Sequence, residues 1–324
     1  MRGMPTAAPP VRPVTVDEIR AARERIRGVI TRTPLVRLLH GVEGAPEIWL
    51  KLENLQPINA FKIRGAANAV ALLEPEERSK GVWTISAGNA GQGVAYAARE
   101  AGVPCTVVVI ETAAETKIDR MRALGANLVK APFDACWRAM DERAFPGVEG
   151  TFVHPFDDHD FVAGNATVAL EILEDLPNVK TIIAAIGGGG LVAGIGSAMR
   201  TLAPHVRVLG AEPETAAPGA ASFAAKSPQV FDKWEYSFVD GAGGKSIFPR
   251  MWERLKDTVD GSIVVTLDEV RNAMKLAASK TRVIAEGAGA LSIAAALKET
   301  EGPVVAVVSG GNVDLKKFCE IVTT

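Results

Sequence analysis

Thr181-Ile182-Ile183-Ala184-Ala185-Ile186-Gly187-Gly188-Gly189-Gly190-Leu191-Val192-Ala193 is the stretch from which the fold can be read. Its first six residues are apolar and partly β-branched, the pattern of a strand buried on both faces. Four glycines follow, and then the Ala-rich run Leu191–Leu202 reads as a helix. Strand, glycine turn and helix in that order form a unit of a parallel α/β sheet. Glycines at such a turn let successive backbone N–H groups approach a phosphate, and the helix N-terminus adds partial positive charge. A turn that bound nothing would not need four of them, since each costs chain entropy on folding. Two kinds of ligand satisfy the pattern. Gly188-x-Gly190-x-x-Ala193 meets the dinucleotide fingerprint, and Glu212 stands near the spacing expected of a ribose-binding acid. A smaller phosphorylated cofactor would use the same amides, so the passage alone leaves both readings open.

Outward from this unit the same alternation recurs. Val82–Ser86, Thr106–Ile110, Ala126–Lys130, Val206–Ala211 and Val304–Val308 are short apolar runs, interleaved with helical segments such as Gly93–Ala101. A first helix is expected over Glu18–Val29, capped by Thr15 or Asp17, with Ile19, Ala22 and Ile26 on one face. Residues 82–150 read as a smaller αβ domain inserted into a larger one made of residues 1–81 and 151–324.

With 324 residues, 48% hydrophobic and 23% charged, the chain can bury a large core. A net charge of −2 gives no global attraction to nucleic acid or anionic lipid. No segment approaches the roughly 20 apolar residues of a spanning helix, and Met1–Pro13 has no apolar core of a signal peptide, so a cytoplasmic address is expected. Cys105, Cys136 and Cys319 are widely spaced, and no disulfide or zinc framework is indicated. Gly243-Gly244-Lys245-Ser246 mimics the end of a P-loop, but Val239 occupies the position of its first glycine.

Lys51-Leu52-Glu53-Asn54-Leu55-Gln56-Pro57, leading into Phe61-Lys62-Ile63-Arg64-Gly65-Ala66, resembles the cofactor-lysine motif of fold-type II pyridoxal 5'-phosphate (PLP) enzymes, the family of threonine dehydratase and serine racemase. Ser86-Ala87-Gly88-Asn89-Ala90, the tetraglycine, Asp240-Gly241 and Ser309-Gly310-Gly311-Asn312 resemble further motifs of that family, in its order, over about residues 17–314. The resemblance implies a tryptophan synthase β-like α/β fold with two open, twisted, mostly parallel sheets flanked by helices. It implies PLP as cofactor, held by Phe61, Lys62, Asn89, Gly187, Gly188, Gly189, Gly190, Gly241, Glu286 and Ser309. Lys62 would be the Schiff-base and catalytic lysine, Asn89 would bind the 3'-oxygen and Ser309 would face the pyridine nitrogen. Ser86, Ala87, Gly88 and Ala90 would bind substrate. His154-Pro155-Phe156-Asp157-Asp158, which suggests a metal cluster when read alone, becomes a structural connection, and no metal is expected.

The implied activity is dehydration of a β-hydroxy amino acid through an aminoacrylate to a 2-oxo acid and ammonia, by a homodimer or a monomer. The chain departs from the family at Ile58-Asn59-Ala60, where relatives read Thr-Gly-Ser, and at Ala87 and Ala90, where they read Ser and His. Loss of three polar side chains suggests a bulky or aromatic substrate of the phenylserine type. It also suggests weak racemisation, since Ala87 cannot deliver a proton. L-threonine, L-serine or hydroxyaspartate are the alternatives within the family. A non-catalytic ligand sensor or an NAD-dependent oxidoreductase is the alternative outside it. Pro218 replaces a carboxylate that, with Glu212 and Ala216, binds a cation in some relatives.

Overall fold

The computed structural model describes residues 10–113 and 115–323. Its strands are β1 (Leu35–Leu38), β2 (Ile48–Lys51), β3 (Val82–Ile85), β4 (Cys105–Ile110), β5 (Asn127–Ala131), β6 (Thr151–Phe152), β7 (Thr181–Ala185), β8 (Arg207–Pro213), β9 (Gly261–Val265) and β10 (Val304–Val307). The helices are α1 (Val16–Ile26), α2 (Lys62–Ala71), α3 (Pro75–Lys80), α4 (Asn89–Ala101), α5 (Glu115–Ala123), α6 (Phe133–Glu142), α7 (His159–Asp175), α8 (Gly190–Leu202), α9 (Pro218–Ala225), α10 (Pro249–Leu255), α11 (Leu267–Thr281), α12 (Gly287–Ala296) and α13 (Leu315–Thr323).

Two sheets result, as the resemblance implies. The larger has the order β1-β2-β10-β7-β8-β9 and the smaller β5-β4-β3-β6. Every pairing is parallel except β1 with β2. The central strands β7 and β10 are buried along their whole length, which is why their sequences are continuously apolar. Thr15 rather than Asp17 caps α1, in a reciprocal capping box with Glu18, and the helix stops at Ile26. The smaller sheet takes its fourth strand from Thr151–Phe152, two residues beyond the boundary expected at 150.

Topology locates the site. In the larger sheet β8 and β9 follow β7 toward one edge, while β10 returns to the other side of β7. In the smaller sheet β4 and β5 follow β3 toward one edge, and β6 returns to its other side. Loops leaving the carboxyl ends of strands at such a reversal diverge and leave a crevice where open α/β sheets bind ligands. Here the loops are Gly187–Gly190 after β7, residues 308–312 after β10, residues 86–88 after β3 and residues 153–157 after β6.

The two sheets are joined through α2, whose Ala66, Ala67 and Val70 share a core with Val94, Ala97 and Ala98 of α4 and with Phe161 of α7. Beneath it lies a fully buried charge quartet of Lys51, Glu53, Arg64 and Glu171. Among the described residues no helix is long and apolar enough to cross a membrane.

Candidate active site

Lys62 is the first residue of α2, carried there by the loop that leaves β2. Its Nζ donates to the carbonyl oxygen of Pro155 at 2.5 Å and lies 5.2 Å and 5.4 Å from the ring centres of Phe61 and Phe161. No carboxylate pairs with it among the described residues, and burial pushes its amine down from 10.5 to about 8. Phe61 caps the helix and its amide donates to the carbonyl of Ser309 at 3.0 Å. Asn59 adopts φ +57°, a left-handed conformation that asparagine tolerates better than most residues, so the departure from the family's glycine leaves the turn intact.

Pro155 leads directly to the glycine turn. A methyl group on Gly188 would sit 2.1 Å from Cγ of Phe156, and one on Gly190 would sit 2.9 Å from the Phe156 carbonyl oxygen. Bare backbone is therefore required, and it begins the 13-residue helix α8. Gly187 abuts Gly241, where a methyl on the former would meet the latter's carbonyl oxygen at 3.1 Å. Gly241 in turn lies against Glu286, the cap residue of α12.

Opposite, Asn89 opens α4. Its Nδ2 donates to Glu286 Oε1 at 2.7 Å, and its Oδ1 accepts from Asn312 Nδ2 at 2.8 Å. Asn312 Nδ2 also donates to the carbonyl of Ile58, and its Oδ1 accepts from Arg120 of α5 at 2.6 Å. An arginine can only donate and a backbone carbonyl can only accept, so both amide orientations are fixed by their surroundings. Ser309, 4% exposed, lies in the loop two residues past the end of β10, and its hydroxyl has no side-chain hydrogen bond among the described residues. Contacts thus run from Lys62 to Pro155, from Phe156 to Gly188 and Gly190, from Gly187 through Gly241 and Glu286 to Asn89, and from Phe61 to Ser309.

The substrate loop is less open than its alanines suggest. Ser86 Oγ accepts from the amide of Gly88 at 3.1 Å. Ala60 is fully buried beside Ile58 and Ile63, Ala87 packs against the cluster of Ala95, Val107 and Met121, and Ala90 is 4% exposed. Sequence reading missed Arg120, Asn312 and Phe156 as site residues. The site's dependence on Phe156 could have been suspected only from the need of four glycines for a close neighbour.

His154 is buried, and its Nδ1 accepts from the amides of Phe156 and Asp157 at 3.3 and 3.0 Å, which suits a structural role in the connection. Glu212 is fully buried and accepts from the amides of Gly219 and Ala220 and from Ser262 Oγ. A carboxylate so occupied cannot reach a ribose, and the dinucleotide reading fails on it.

Residues 26–310 match the family described as pyridoxal-phosphate dependent enzyme. The chain belongs to this family. It is 37% identical over 321 residues to an L-threonine ammonia-lyase of Thermotoga maritima, covering 95% of this chain and 78% of that one. It is 36% identical over 320 residues to a catabolic L-threonine dehydratase of Staphylococcus aureus, covering 95% and 92%. The structure of maize serine racemase superposes with a TM-score of 0.86 at 32% identity, covering 95% and 97%. The residues fit the family's cofactor: a glycine turn whose Cβ positions are occupied by Gly241, Phe156, Leu255 and Met251, leaving bare backbone, a lysine whose amine is pushed down to about 8, and a hydroxyl at Ser309 without a side-chain partner among the described residues.

Proposed function

We propose that this PLP-dependent enzyme is an ammonia-lyase that dehydrates L-threonine or L-serine to the 2-oxo acid and ammonia. The observation that carries it is Lys62, whose depressed amine stands at the carboxyl ends of both sheets and, through Pro155-Phe156, beside the glycine turn. Bound PLP supplies an electron sink that acidifies the α-proton of an attached amino acid and lets a β-hydroxyl leave. The chain's own residues do the rest. The amides of Gly187–Gly190 hold the phosphate, Asn89 turns an N–H toward the ring oxygen, and Lys62 anchors the cofactor and then takes the α-proton. Ser309 offers the ring nitrogen a neutral hydroxyl, which does not enforce its protonation, and this suits elimination better than transamination. The start of α4 and the Ser86 loop receive the substrate carboxylate at a helix N-terminus. The β-hydroxyl leaves as water, receiving from Lys62 the proton that came off Cα, and hydrolysis of the released enamine consumes one water and frees ammonia.

The threonine reading is supported by two relatives named for L-threonine that match across 95% of this chain, and serine is the smaller β-hydroxy amino acid of the same class. An aromatic substrate needs free volume around Ala60, Ala87 and Ala90, yet Ala60 and Ala87 pack into hydrophobic clusters and Ala90 is buried. Comparing kcat/KM for L-threonine, L-serine, L-threo-phenylserine and threo-3-hydroxyaspartate decides the matter. Threonine or serine should lead. Phenylserine ahead by about tenfold, one pocket's worth of discrimination, would move the substrate to the aromatic class. A purified protein that bound NAD and not PLP would overturn the whole reading.

A further inference from the structure

Asp157, 3% exposed, receives three guanidinium groups. Arg250 Nε lies 2.6 Å from its Oδ2, Arg143 Nη2 3.2 Å from the same oxygen and Arg254 Nε 3.5 Å from Oδ1. Three cations on one carboxylate leave an excess of two positive charges. Of the neighbouring acids, Asp158 spends its carboxylate capping α7 and Glu253, beside Arg254, pairs with Lys256. Such an excess is costly to bury, and Arg254 and Arg143 are 6% and 16% exposed.

The cluster lies directly behind the glycine turn. Phe156, the residue before Asp157, presses its ring on Gly188 and its carbonyl on Gly190. On the other flank a methyl at Gly189 would meet Leu255 at 3.2 Å and Met251 at 3.3 Å, and these two residues follow Arg254 and Arg250 on α10. The two elements that grip the turn thus carry Asp157, Arg250 and Arg254, while Arg143 reaches the group from the C-cap of α6. Burial first, and then Arg143, Lys62, Arg250 and Arg254, hold the imidazole of His154 well below its usual range.

We propose that Arg143, Arg250 and Arg254, balanced by Asp157, are an electrostatic support for the cofactor phosphate, acting through the protein from behind the backbone amides that touch it. This rests on the assignment of Gly187–Gly190 to the phosphate. A charge a layer away, screened by protein rather than water, acts on the dianion but has nothing to act on in a ligand that lacks it.

The experiment is titration of the apoprotein with PLP and with pyridoxal, followed by absorbance. Arg250→Met should weaken PLP by about tenfold, the effect of one charge at this range in protein, and leave pyridoxal unchanged. Arg250→Lys should restore the PLP affinity, and added salt should narrow the gap between wild type and Arg250→Met. Asp157→Asn, if it folds, should act in the opposite direction and tighten PLP; Arg250 is 32% exposed, so its variants keep the test valid if Asp157→Asn does not fold. Equal losses for PLP and pyridoxal, or no loss at all, would overturn the inference. Failure of the wild-type apoprotein to bind PLP would instead overturn the assignment of the glycine turn.

Discussion

Lys62 Nζ lies 2.5 Å from the carbonyl oxygen of Pro155, and this is its one polar side-chain contact among the described residues. A carbonyl accepts a hydrogen from an ammonium or from a neutral amine, so it positions the nitrogen without holding the proton on it. A carboxylate in the same place would favour the charged form and raise the pKa. Geometry is thereby set separately from protonation, and burial between Phe61 and Phe161 is left to lower the amine to about 8.

Replacing Lys62 with alanine should remove the visible absorbance of the PLP enzyme and its sensitivity to borohydride, and reduce turnover to near zero, because one side chain is proposed as both anchor and base. The melting transition of the apoprotein should not fall, since the substitution removes a buried amine that no acid compensates. A variant that kept its band and its activity would show that another group carries the cofactor.

The rate at which the apoprotein captures PLP should rise with pH and level off near 8. The lowered pKa means the free amine is the minority form below 8 and the majority form above it, so each pH unit below 8 costs about tenfold in reactive amine. Stopped-flow absorbance between pH 6 and 10 tests this. A plateau reached only above pH 10 would show an ordinary, solvated lysine.

Gly188→Ala places a methyl 2.1 Å from Cγ of Phe156, so the ring or the turn must move. Overpacking of this kind costs about 1–3 kcal/mol, and here it also displaces the amides proposed to hold the phosphate. PLP affinity should fall more than stability does. Adding Phe156→Ala to the same chain should recover part of the affinity, and a double variant no better than the single would place the constraint elsewhere.

Ser309→Asp should put an acceptor of the pyridinium proton where a neutral hydroxyl now stands, at a position only 4% exposed. The expected result is retained cofactor, kcat for elimination lower by about tenfold or more, and new long-wavelength absorbance in the presence of substrate. An unchanged spectrum and product ratio would mean that Ser309 does not face the ring nitrogen.

What could be read from the chain followed its local physics. Thr181–Gly190 carries strand, turn and anion-binding logic within ten residues, and β7 and the start of α8 appear where it places them. The strands β1, β2, β6 and β9 went unnoticed, β6 being only two residues long. The first two are four residues long and carry Arg37 or Lys51, and β9 begins Gly261-Ser262 at a sheet edge. Lys51 belongs in a buried strand only because Glu171, 120 residues away, meets it. Arg120 and Asn312 are 192 residues apart and join the site only through the folding of one sheet against the other. Such contacts leave no periodicity for a sequence to display.

Arg64 is the strongest test of how much the site depends on what lies beneath it. The guanidinium makes two-pronged contacts to both carboxylates, 2.7 and 2.8 Å to Glu53 and 2.7 and 2.9 Å to Glu171, while Lys51 reaches Glu171 at 2.6 Å. Two cations and two anions cancel, and none of the four side chains is more than 4% exposed. Burial alone would raise the carboxyl of Glu53; Arg64, then Lys51, hold it below the usual range. Arg64→Met removes one cation and leaves two buried carboxylates facing one ammonium, which should cost about 3–5 kcal/mol of unfolding free energy. The sign with pH follows. In the wild type Glu53 contributes stability above its unfolded pKa, lost as pH falls through the lower folded one, whereas in the variant burial favours its protonated form. The gap between the two proteins should therefore be wider at pH 8 than at pH 4.5. Lys80→Ala is the control, breaking an exposed pair with Glu76 whose side chains are 60% and 81% exposed, and should leave stability nearly unchanged. Urea unfolding of the three proteins at both pH values provides the measurement, and an Arg64→Met midpoint close to that of Lys80→Ala would show that the quartet contributes nothing to holding α2, and Lys62 with it, in place.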